Sequence, residues 1–111
     1  MIALMAHLTV VPEKQEELLQ TLRSLVAEIE QQSGCMECLM GLHADVALLF
    51  SVWEDRDALG KHLRSEQLGI LLGASSLLAA PPRFRFSDPE MPEASQVIEQ
   101  ARREAAGGGW K

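Results

Sequence analysis

Along the opening stretch the even positions, Ile2, Leu4, Ala6, Leu8 and Val10, are apolar, while Ala3, His7 and Thr9 between them are smaller or polar. A period of two marks a strand with one face turned to a core, and Pro12 closes it. After Pro12 the period lengthens to that of a helix. Leu18, Leu22, Leu25 and Ile29 share one face, Leu19 and Val26 widen it, and Glu13, Glu16 and Glu17 crowd the first turn. This helix is expected to run to about Gln32 and to stop at Ser33-Gly34, where glycine takes the left-handed cap. Cys35 to Leu42 then reads as a second strand, His43-Ala44-Asp45 as a turn, and Val46 to Trp53 as a third strand, together an antiparallel hairpin.

Asp55 or Asp57 caps a second helix with Ala58, Leu59, His62 and Leu63 on one face and Gly60, Lys61 and Arg64 outward. A further apolar helical piece within Ile70 to Ala80 precedes Pro81-Pro82, and Arg83-Phe84-Arg85-Phe86 alternates as a fourth strand. The order βαββαβ predicts an α+β fold of the ferredoxin-like split βαβ kind, a four-stranded antiparallel sheet with helices on one face. The strands carry apolar residues on both sides, so the second face predicts a partner packed sheet against sheet, a homodimer.

Residues 1–87 are expected to make this domain and residues 88–111 a linker and helical tail. The tail helix, Glu93 to Ala106, has Val97 and Ile98 as its strong apolar anchors and runs into Gly107-Gly108-Gly109 and Trp110-Lys111. It reads either as a frayed end or as an arm laying Val97, Ile98 and Trp110 on the partner.

A length of 111 residues with 47% hydrophobic composition suits one domain. The 16 acidic against 10 basic residues give a net charge of −6, which provides no footprint for nucleic acid or an anionic membrane. No apolar run approaches the ~20 residues of a membrane span, and Met1 to Val11 lacks the basic start and cleavage site of a secretory signal. A cytoplasmic protein is expected. Aromatics reach only 5% and tyrosine is absent, which leaves little for base stacking or tyrosine chemistry.

Cys35 and Cys38 form a C-x-x-C without a helix N-terminus to activate it. In an extended chain residues three apart point to opposite faces, so two unlinked thiols are expected, at least one a small hydrophobic filler. His7, His43 and His62 do not stand at zinc-finger spacing, and no metal is expected.

Gly34-Cys35 at a strand start, Phe50-Ser51-Val52-Trp53-Glu54-Asp55 at a strand end, Ala58-Leu59-Gly60-Lys61-His62-Leu63 on the next helix and Pro81-Pro82 before the last strand follow one another in a particular order. In that order the chain resembles the antibiotic biosynthesis monooxygenase domain family over about residues 1 to 87. The resemblance implies a dimeric α+β barrel. It also implies one of the activities known in that family: cofactor-independent oxygenation of quinols and polyketide aromatics, haem degradation, or sugar-phosphate isomerisation. Haem-degrading members carry an asparagine on the first strand, a tryptophan on the second helix and a haem-ligating histidine about three turns on. Ala6, His62 and Leu72 occupy those positions here, which argues against haem. The commonly aromatic position on the second strand is Cys38, which argues against a tyrosine-dependent mechanism.

His62 shares its helix face with Leu59 and Leu63 and should point toward the sheet, where a small-molecule cavity would lie. A histidine there could deprotonate a phenol or quinol or hold its oxygen, since its ordinary pKa is near ~6.5. Trp53, Leu4, Met36, Met40, Leu71 and Phe84 are the expected walls around a small hydrophobic aromatic substrate, with no cofactor. The rival role for His62 is a core histidine bonded to a backbone carbonyl, and for Trp53 simple packing. Arg83 and Arg85 would grip an acidic group or face solvent, His7 would face the dimer contact, and His43 would be exposed. The leading expectation is therefore a cofactor-independent monooxygenase. An isomerase that shuttles a proton through His62, or a non-catalytic dimeric ligand-binding module, are the alternatives.

Overall fold

The alternation of the opening stretch becomes β1, Ile2–Thr9, in which every even residue is buried and every odd one half-buried. The structure is a computed structural model that describes residues 1–108; Gly109, Trp110 and Lys111 lie outside it, and with Trp110 the expected apolar end of the tail. A 3₁₀ turn at Pro12–Lys14 leads into α1, Gln15–Ile29, which buries Leu18, Leu22, Leu25 and Ile29. The helix ends three residues before Gln32. Glu28 and Ile29 accept from the amides of Gln31 and Gln32, the tighter bonds that close a helix end.

Gly34 follows with φ of +84°, a conformation that disfavours any side chain. A Cβ at this position would also collide with Cβ of Ala58, while the Gly34 carbonyl accepts from the Glu54 amide at 2.9 Å. The turn before the second strand is thus locked against the start of the second sheet-facing helix.

β2, Cys35–His43, and β3, Val46–Trp53, form the hairpin around Ala44-Asp45, with Ala44 at φ 54°. α2, Arg56–Leu63, and α3, Glu66–Gly73, follow, then a 3₁₀ turn at Ala74–Leu77 and β4, Arg83–Phe86. The four strands are antiparallel in the order β2-β3-β1-β4, which is the ferredoxin-like arrangement. Helices cover one side of the sheet, and Leu8, Leu22 and Trp53 are fully enclosed there.

One register shift changes the chemistry of β2. An extra residue between Cys35 and Glu37 places Cys35 opposite Trp53 and Cys38 opposite Ser51. Trp53 and Ser51 both face the helices, so the two cysteines stand on the same side of the sheet, contrary to the expectation of opposite faces. They remain free thiols, and Cys38 is buried as a filler.

α4, Ala94–Gly108, turns back onto its own domain instead of standing away from it. Ala94, Ile98 and Ala101 are buried as it packs on β4 and α2. Nη1 of Arg102 donates to the carbonyls of Leu63 and Ser65 at 3.2 and 2.8 Å, and the absence of a side chain at Gly69 leaves the guanidinium its place. The other face of the sheet is open: Met5, His7, Leu48, Phe50 and Val52 are half-buried and Leu39 is 53% exposed. Among the described residues no helix is long and apolar enough to cross a membrane.

Candidate functional site around His62

Asp55 caps α2 by accepting from the Ala58 amide at 2.8 Å, which fixes the phase of the helix. Ala58, Leu59, His62 and Leu63 accordingly face the sheet and are buried. The His62 ring is only 3% exposed and stacks on Trp53, with centroids 4.4 Å apart and planes inclined by 20°. Nε1 of Trp53 donates to Oγ of Ser51 at 2.9 Å, so the indole that supports the imidazole is itself held.

The hydrogen bonds around His62 settle which of its nitrogens carries the proton. Glu28 presents a carboxylate, which only accepts, so the amide nitrogen of Gln67 points to it at 3.0 Å. The Gln67 carbonyl oxygen then accepts from the amide nitrogen of Gln32 at 2.9 Å. The Gln32 oxygen, left to accept, meets Nδ1 of His62 at 2.9 Å. Nδ1 is therefore the protonated nitrogen and Nε2 the basic one. The chain runs from exposed Glu28 through two half-buried glutamines to a buried imidazole. Burial also pushes the His62 pKa down to about 4, so the ring is neutral at pH 7.

Nε2 forms no hydrogen bond to the described residues, and the void beside the ring holds only about 10 Å³, room for about one water. Leu4, Leu71 and Phe84, three of the expected wall residues, line this void together with Ala6, Leu49 and Ser51. Trp53 adjoins it through the stack. Met40 packs on the core opposite Leu49 without lining the void, and Met36 is not brought to it at all. Met36 is the extra residue of the bulge and is 57% exposed. Gln32, Gln67 and Glu28 were not expected; Glu28 and Gln67 are polar positions on α1 and α3 and Gln32 lies in the bend after α1, so none carries a periodic signal that would single it out.

The remaining chemistry-bearing residues lie elsewhere. Cys35 and Cys38 line a separate depression with Glu30, Met36 and Glu37. Burial pushes the Cys38 thiol up to about 12, with the neighbouring Cys35 and Glu30 charges adding to it, and burial likewise raises Cys35. Among the described residues no group of three or more metal-ligating side chains comes together. Arg83 and Arg85 project from the open face, paired with His7 and Met5 of β1, on the side of the sheet opposite His62. His43 is exposed at the hairpin.

A split βαβ sheet, helix-covered on one side, with a buried histidine stacked at the end of β3, defines a small ferredoxin-like α+β domain built around an enclosed polar centre. The family profile described as antibiotic biosynthesis monooxygenase matches residues 1–69, more than half of the chain, and the chain belongs to that family. Its fold is shared by the Rv0793 protein of Mycobacterium tuberculosis, at 23% identity and a TM-score of 0.72 over 84% of this chain and 97% of that one. A candidate antibiotic biosynthesis monooxygenase from Deinococcus radiodurans is similar at 18% identity and a TM-score of 0.73, covering 83% and 95%. The PA3566 protein of Pseudomonas aeruginosa is similar at 26% identity and 0.67, covering 77% and 89%. No curated protein matches the chain in sequence.

Proposed function

We propose that the protein is a cofactor-independent monooxygenase that oxidises a quinol or polycyclic phenol with dioxygen. The observation that carries this reading is the imidazole of His62, neutral and with Nε2 turned into the basic form by the Glu28–Gln67–Gln32 chain. A quinol and dioxygen give a hydroxyquinone and water: one oxygen atom enters the ring, the other leaves with two hydrogens, and the substrate supplies all four electrons. The protein then has only to hold the hydroxyl, accept its proton and keep the site dry.

The depressed pKa of His62 decides how it does so. Full proton transfer from a phenol of pKa ~10 to a base near 4 would cost about 8 kcal/mol. His62 therefore accepts the hydroxyl's hydrogen bond first and takes the proton as the electron passes to dioxygen, when the phenol becomes far more acidic. Leu4, Leu71, Phe84 and Trp53 supply the apolar surround. The isomerase alternative is less well supported, because Arg83 and Arg85 lie across the sheet from His62 and Arg102 is committed to backbone carbonyls.

The enzyme acts as a cytoplasmic homodimer in this reading. The half-buried apolar residues of the open face support it, since a domain this small has no further layer to cover them. Light scattering at micromolar concentration should give twice 12.2 kDa, and a monomer mass would refute the dimer. Oxygen uptake with a panel of quinols tests the activity. Consumption in the wild type that disappears in His62→Ala is the expected result; unchanged consumption in that variant removes His62 from the reaction. Saturable binding with no oxygen uptake would make the protein a ligand-binding module.

A further inference from the structure

Phe84 borders two spaces. On one side its ring lines the 10 Å³ void beside His62. On the other it lines a largely apolar groove of about 520 Å³ between α3, β4 and α4, shared with Leu72, Pro82, Ile98 and Arg102. The void alone is too small for any organic ligand, and the groove, whose lining includes Glu99 at its outer side, does not reach His62. The groove has the ~300–1,000 Å³ usual for small-molecule sites, and the void adds access to the imidazole.

We propose that the groove beneath α4 is the outer chamber of the His62 site and that Phe84 is the door between chamber and base. The proposal rests on the phenol-oxidising reading above and adds the route by which the substrate reaches the base. Three observations carry it. Phe84 is the aromatic residue common to both linings, and it is half-buried on a strand of four residues at the sheet edge. Its partner across the ladder is Ala6, whose small side chain also lines the void, so the Phe84 ring is the bulk that separates void from groove. Arg102, which also lines the groove, is bonded to the carbonyls of Leu63 and Ser65, so the outer wall is fixed to the backbone immediately following His62.

β4 and α4 lie beyond the residues that the family profile matches, 1–69, so this chamber is furnished by the part of the chain outside that match. A flat ring system entering along Leu72 and Ile98 would displace the Phe84 ring and bring its hydroxyl to Nε2.

The test uses Trp110→Phe as the parent, which leaves Trp53, stacked on His62, as the only tryptophan. Under nitrogen, 2-naphthol should quench Trp53 emission saturably. Phe84→Ala should raise the association rate at least tenfold. Ser95→Phe, a substitution at an exposed groove position that leaves the core untouched, should lower it by a similar factor. Saturable binding at equal rates in all three proteins overturns the door while leaving the phenol reading intact. Absence of binding in all three overturns the phenol reading, and acrylamide quenching of Trp53 then judges the door alone. A fivefold gain in Phe84→Ala with unchanged far-ultraviolet dichroism supports it; equal quenching overturns it.

Discussion

His62 and the Cys35–Cys38 pair lie on the same covered side of one sheet, meeting neighbouring residues of β3, yet they differ in what surrounds them. The histidine has a stacked indole, a hydrogen-bond chain that fixes its tautomer, and a small void beside its ring. The thiols have burial and the negative charge of Glu30, both of which hold them protonated. A thiolate is favoured by a cation or a helix N-terminus, whereas burial and the Glu30 charge act in the opposite direction on both cysteines. Reactive capacity here follows from the neighbours rather than from the residue type, and the motif that stands out in the sequence is the quieter of the two.

The largest difference between the clusters should appear on removing the support of the histidine. Trp53→Ala deletes a fully enclosed ring and its stack, and is expected to cost about 3–5 kcal/mol in urea unfolding. Acid should separate the clusters next. In the unfolded chain His62 takes up a proton near its ordinary value of 6.5, but in the fold only near 4. Its contribution is therefore complete above about pH 6.5 and is lost as the pH falls through 4, amounting to roughly 3 kcal/mol. Stability measured against pH in wild type and His62→Phe should diverge over that window, and parallel curves would refute the depressed pKa. Gln67→Leu should cost about 1–2 kcal/mol by leaving Gln32 without its partner. Nitrogen-15 spectra should then show His62 changing from one tautomer to a mixture. Cys35→Ser should stay within about 0.5 kcal/mol, and in the wild type both thiols should react more slowly with a disulfide reagent than free cysteine.

Most of the fold was legible in the sequence, for a physical reason. β1, β3, β4 and α2 each bury one side against a common layer, so their periods are clean, and the even residues of β1 and the Ala58–Leu59–His62–Leu63 face are found as expected. The position of His62 followed from that face, and with it Leu4, Leu71, Phe84 and the adjoining Trp53. Met36 did not, because a single inserted residue inverts the parity of a strand without altering its composition. The glutamine chain was equally hidden. Gln32 and Gln67 are 35 positions apart, and their pairing exists only once α1 and α3 are side by side. The packing of α4 is not legible in the sequence because two of its three buried anchors are alanines, which pack closely but contribute little apolar signal.

Gly34 has a consequence for anyone wishing to reuse this scaffold. Its backbone lies so near Ala58 that any bulkier residue would push on the first turn of α2, and the displacement would be carried along the rigid helix to the imidazole one turn further on. Gly41, by contrast, has nothing within 4 Å of where its Cβ would stand. An engineer seeking to retune the protein therefore has one glycine to leave alone and another, opposite Leu48 on the open face, where a new side chain meets nothing of its own chain and would probe the proposed partner contact.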